Sequence, residues 1–392
     1  MSELISTKGK YYDAGLLRDV VRLVAKDGPD LKKWEIRLNW GDEDAWLALL
    51  FLILENLKSL DLSYGVSPYI FRAVEAIVRP DPEKEDKIMA LQSLESINFW
   101  TEHKSLYTFC ARGFAPFYLL PSMKVFRSTK VQEEQDYSHE RNPEYDSDNE
   151  ESNVWEKYLT LPYPDSNLEL PARTSPVREI VLEQSNCRHG FAEFITACAG
   201  LERFEYQHSN EAVHQNLYFN LRPRAFYRPL LTQRETLRVL RFNDLGVTKN
   251  LEGREEDWNG TGTQETIESW FGSLVEFTAL RDIEVLCLAK VDREDYELVV
   301  RELMELLAGG FISLRKVIVQ LYQLELFDGE EEECYEPVNF GVPQFAVDAF
   351  KRVGDSCLEK GVEFCLADDG EHQIVKGTEV VVDTRATMFF SL

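Results

Sequence analysis

The chain has 392 residues, of which 44% are hydrophobic and 12% aromatic, too apolar for a disordered polymer and ordinary for a folded one. Its 69 Asp and Glu against 43 Lys and Arg leave a net charge of −26. Phosphate and anionic lipid are held by basic surfaces, so nucleic acid and membrane are not expected as partners. The acidity serves solubility, and a basic protein is the partner it would attract.

The N-terminal "MSELISTKGKYYDAG" has no apolar signal core, and the longest apolar run, about Trp46 to Leu54, is too short to span a bilayer. The cysteines are odd in number, widely spaced and without a C-x-x-C pair. That pattern fits reduced thiols, so an intracellular location, cytoplasmic or nuclear, is expected.

In chain order, Asp13 to Lys26 reads as an N-terminal helix, the cap of the fold over residues 1–30, stopped by Asp27-Gly28-Pro29. "LKKWEIRL" follows, with Leu31, Trp34 and Ile36 reading as a shortened strand ladder. Asp42 caps a helix through "EDAWLALLFLILENL". This feeds Leu54, Leu57, Leu60 and Leu62, whose spacing of three, three and two suits a helix end, a turn and a half-buried strand. Ser67-Pro68 opens a helix to about Arg79, and Leu91, Leu94, Ile97 and Phe99 repeat the ladder. A helix near Ser105 to Ala111 precedes a weaker copy at Leu120, Met123 and Phe126.

Gln132 to Glu156 is acidic and almost without aliphatics, so residues at about 130–170 are expected to be a mobile insertion. Within it, Ser147 stands before Asp148, Glu150 and Glu151 as a candidate site for an acid-directed kinase. The ladders resume at Val177, Ile180 and Leu182, then Leu201, Phe204 and Tyr206 after a helix bearing Phe191, Phe194 and Ile195. Leu237, Leu240 and Phe242 follow. A helix capped by Thr263 leads to Phe277, Leu280, Ile283 and Val285, and one opened by Asp292 leads to Phe311, Leu314, Val317 and Val319. A helix near Pro343 to Lys360 runs into a closing strand, "GVEFCL", and residues 367–392 form a tail.

Units of this kind bury their apolar faces only by stacking, strand beside strand in a parallel sheet with helices on the other side. The expected fold is therefore α/β, a leucine-rich-repeat solenoid over residues 31–366 with long, irregular repeats. The alternative, a doubly wound α/β domain, would carry a Gly-rich strand-to-helix turn for a nucleotide, and none is present.

Three units, "FITACAGLERFEY", "LLTQRETLRVLRF" and "LAGGFISLRKVIV", resemble the divergent leucine-rich repeats of fungal F-box and F-box-like proteins, and "DSCLEKGVEFCL" resembles their last unit. The resemblance implies a non-enzymatic protein-interaction module whose repeats select a substrate for a ubiquitin ligase. The first thirty residues show no Leu-Pro opening of an F-box, so a cullin-ligase adaptor is an expected partner where a box lies upstream. Regulation of a small GTPase, as by leucine-rich-repeat GTPase-activating proteins, is the alternative.

A repeat sheet binds through the strand positions between its buried ladder residues. The candidates are Ser59 and Asp61; Ser96, Asn98 and Trp100; Glu179; Arg203 and Glu205; Arg241; Asp282 and Glu284; and Lys316, with Trp100 as an aromatic anchor. Val181 shares this parity and is expected to face outward as well. The histidines are scattered, His208 and His214 lying in an expected loop, and neither they nor Cys187 and His189 have the spacing of a zinc site. No nucleophile elbow, H-E-x-x-H or P-loop occurs, so neither a catalytic residue nor a cofactor is assigned. Cys198 and Cys287 read as core thiols.

Overall fold

A computed structural model describes residues 14–63, 68–79, 88–100, 109–133, 168–187, 189–209, 223–244, 272–289, 293–308, 314–323, 344–367, 372–376 and 379–383. They form a mixed α/β fold of parallel strands and helices. The chain divides into two compact units, Met1–Val177 with Ala197–Ala199, and Arg178–Thr196 with Gly200–Leu392.

The first unit opens with helices α1 (Ala14–Val24), α2 (Gly28–Trp40) and α3 (Glu43–Phe51). The short ladder expected at Leu31, Trp34 and Ile36 is instead part of α2. Asp27 accepts a hydrogen bond from the Asp30 N–H at 2.8 Å, and Pro29 lies in the first turn, so Asp-Gly-Pro starts a helix as well as ending one. Asp30, Trp34 and Leu38 are buried at four-residue spacing, the period of one helical face. Gly41, at φ 76, ends the helix. Asp42 then caps α3 as expected, accepting from the N–H groups of Asp44 and Ala45.

Strand β1 (Ser59–Ser63), helix α4 (Pro68–Val78) and strand β2 (Ser96–Trp100) follow. Next come β3 (Phe109–Cys110), a 3-10 turn (Ala111–Phe114), the short helix α5 (Ala115–Tyr118), β4 (Val125–Thr129) and β5 (Val131–Gln132). The helix expected near Ser105 to Ala111 falls elsewhere. Residues 105–108 lie outside the described set, Phe109 and Cys110 are strand, and helical turns begin at Ala111. β1 pairs with β2, β2 with β4, and β3 with β5, all parallel. The core is aromatic: Phe114 stands 4.9 Å from Phe99 and 5.0 Å from Phe126, centroid to centroid, with Phe117 5.4 Å from Phe99.

Both ends of the stretch expected to be an insertion, at about 130–170, carry described, buried residues, and 134–167 lie outside the described set. Val131 and Gln132 are strand, and Lys130 and Gln132 are buried. Leu168 and Leu170 are buried as well. Ser147 lies outside the described residues.

The second unit carries β6 (Glu179–Ser185), α6 (Ala192–Ala197), β7 (Arg203–His208), α7 (Pro223–Leu231), β8 (Val239–Asp244) and β9 (Asp282–Ala289). It continues through α8 (Arg293–Ala308), β10 (Lys316–Gln323), α9 (Gln344–Glu359) and β11 (Glu363–Ala367). Strands β6 to β11 pair in sequence order, every neighbour parallel. In the tail, β12 (His372–Lys376) and β13 (Glu379–Asp383) add antiparallel strands to β11. The helix expected from Thr263 falls outside the described residues up to 271, and Leu274 lies beyond any helix.

The strands start alike. In the first unit the Lys58 carbonyl accepts from the N–H groups of both Glu95 and Ser96, and the Glu95 carbonyl from those of Lys124 and Val125. In the second, the carbonyls of Arg178, Glu202, Arg238 and Arg281 each accept from two consecutive N–H groups of the next strand. Behind these starts, Leu94, Ile97 and Phe99 are buried, as are Leu201, Phe204 and Tyr206, and Leu237, Leu240 and Phe242. The ladder spacing of three then two is thus a turn that aims one carbonyl, followed by a strand with one buried face.

Candidate functional site

The residues between the ladder positions emerge on the face opposite the core, and in both units they are tied across strands. In the first unit β1 and β2 are in register, Ser59 beside Ser96 and Asp61 beside Asn98. The Ser96 hydroxyl donates to that of Ser59 at 2.9 Å. Asp61 accepts from the Asn98 amide at 3.3 Å and from the Trp100 indole N–H at 2.7 Å, one on each carboxylate oxygen. Trp100 is 39% exposed, so a large aromatic surface stands in water with its polar end fixed.

In the second unit two rows cross the sheet. One runs Glu179, Arg203, Val239, Asp282, Lys316 and Glu363; the other runs Val181, Glu205, Arg241, Glu284, Ile318 and Cys365. Glu205 meets Arg203 at 2.7 Å and Arg241 at 3.1 Å, and Arg241 meets Glu284 at 3.7 Å. Lys316 meets Glu363 at 3.2 Å. Each such pair contributes about 0–1 kcal/mol at a surface, so together they fix orientation more than they stabilise. Asp282 and Glu179 sit in the first row at intermediate exposure. Val181 departs from expectation: it is buried although its parity is that of the polar face.

A buried polar group was not legible in the sequence. His208 is the last residue of β7 and fully buried, not part of a loop. Its Nδ1 lies 2.8 Å from the Tyr206 hydroxyl, which donates to the Ser185 carbonyl at 3.0 Å. The Asn186 amide lies 3.5 Å from Nε2 and donates also to the Ser209 carbonyl at 3.3 Å. The group ties the ends of β6 and β7 together.

Of the two thiols read as core, Cys198 lies in the core. Cys198 is fully buried, and burial pushes its thiol far up from 9.0. The Cys287 side chain lies outside the described set. Among the described residues no group of three His, Cys, Asp or Glu side chains is placed to hold a metal ion, and no helix is long and apolar enough to cross a membrane. No family model, curated protein or solved structure matches the chain.

Proposed function

We propose that the chain is a non-enzymatic protein-interaction module, built as a solenoid of irregular leucine-rich-repeat units, that binds its partner through the polar strand face. The carrying observation is Trp100, exposed yet held by Asp61. An aromatic ring fixed before contact loses little entropy on binding, and such residues dominate interface energies. The Arg203–Glu205–Arg241–Glu284 lattice adds fixed, alternating charge that selects by complementarity. The partner is a protein, with basic surface favoured by the net charge of −26. Substrate selection for a ubiquitin ligase, inside the cell, is the version that the resemblance to F-box-like repeats supports.

The test is affinity. With a partner purified alongside the chain at low salt, Trp100→Ala weakens binding at least about tenfold, the scale of a hot spot, and leaves the melting temperature unchanged. Affinity unchanged from that of the unaltered chain in both Trp100→Ala and Arg241→Glu contradicts the proposal.

A further inference from the structure

Among the described residues, strand β1 ends its sheet and pairs with β2 on one side only. The Lys58 carbonyl accepts from Glu95 and Ser96, at 2.8 and 3.1 Å, and so points to β2. Hydrogen-bonding direction alternates along a strand, so Leu60 and Leu62 also turn to β2. Ser59, Asp61 and Ser63 turn their N–H and C=O groups to the free side. All three are exposed, and their backbones have no hydrogen bond on that side. Natural sheets blunt such edges with Pro, Lys or a bulge. β1 has none of these, and its one charge, Asp61, is engaged over the face by Asn98 and Trp100.

We propose that β1 is a strand-addition site, taking an extended segment of a partner protein that carries Lys or Arg at alternate positions. This rests on the reading of the chain as an interaction module. Outward N–H and C=O groups repeating every second residue are satisfied together only by an extended backbone. A second copy of this chain is the wrong occupant: edge-to-edge pairing would set Asp61 near its counterpart and −26 against −26. A basic strand reverses both terms. The Trp100 indole, reaching from β2 to Asp61, then offers its ring to the cation or its aliphatic stem.

The test uses a displayed library of random 12-residue peptides, selected on the full chain and counter-screened on Ser63→Pro. Proline there removes one outward N–H and no bond to β2. Expected peptides alternate Lys or Arg with apolar residues, lose at least tenfold in affinity on Ser63→Pro, and slow amide exchange at Asp61 and Ser63 in the unaltered chain. Peptides that bind both proteins equally, fail to slow those amides, or do not enrich at all overturn the proposal. A partner that needs Trp100 but ignores Ser63→Pro removes the strand site and leaves the interaction module standing.

Discussion

At the scale of single residues, small atoms decide where large ones go. Asp61 is a surface carboxylate whose two oxygens are both taken by groups of β2, and what it fixes is the direction of an indole. Gly190 has the opposite role, being needed for what it lacks. Its φ is +72, and a Cβ there would lie 2.6 Å from the Ala225 carbonyl carbon and 2.7 Å from its oxygen. The turn before α6 thus lies directly against the backbone of α7. Gly190→Ala is expected to destabilise by more than about 1 kcal/mol, from strain and backbone overlap together. Gly200→Ala, whose Cβ would meet only Thr236 Cγ2 at 3.6 Å, is expected to be near neutral. Urea midpoints of the two variants check this. Equal midpoints would contradict the close packing of turn on helix.

At the scale of elements, the ladders were legible because burial at every second residue is written directly in the residue types: Ile97 and Phe99, Phe204 and Tyr206, Leu240 and Phe242. α2 was not, because Leu31, Trp34 and Ile36 obey both periods loosely, and the deciding residue, Leu38, closes the helical face with Asp30 and Trp34. The candidate face was legible as a set of positions but not as a set of bonds. Asp61 and Trp100 stand 39 residues apart, and their contact depends on the register of β1 and β2. His208, Tyr206, Asn186 and Ser185 were beyond reach for the same reason, since only strand pairing brings 185 and 186 to 208.

Helix burial also sets a response to alkali. Burial pushes the Cys357 thiol on α9 from 9.0 up to about 12. Tyr69 on α4 rises from 10.0 to about 12, chiefly by burial, with Asp42 and Asp30 adding and Arg37 opposing. The unfolded chain gives up these protons first, so the folded state binds more protons between the two values. Their contribution to stability is full below pH 9.0 and is lost as pH rises toward about 12. The urea midpoint should therefore fall across that window, and less steeply in Cys357→Ala. A midpoint flat to about pH 12 would contradict the burial of both groups.

At the scale of the whole molecule, each unit sets one strand beside the next by the same device, a carbonyl shared between two N–H groups. The device leaves the core on one face and a fixed polar lattice on the other. On the proposed reading, such an arrangement works by recognition, and its acidity would reach a basic partner before contact is made. Hydroxyl-radical footprinting of the chain with its bound partner tests the central claim most directly, because Trp100 on the strand face and Trp40 at the end of α2, 39% and 61% exposed, report independently. The account predicts that oxidation of Trp100 falls several-fold in the complex while that of Trp40 is unchanged. Protection of Trp40 with Trp100 still oxidised at its free rate would contradict it.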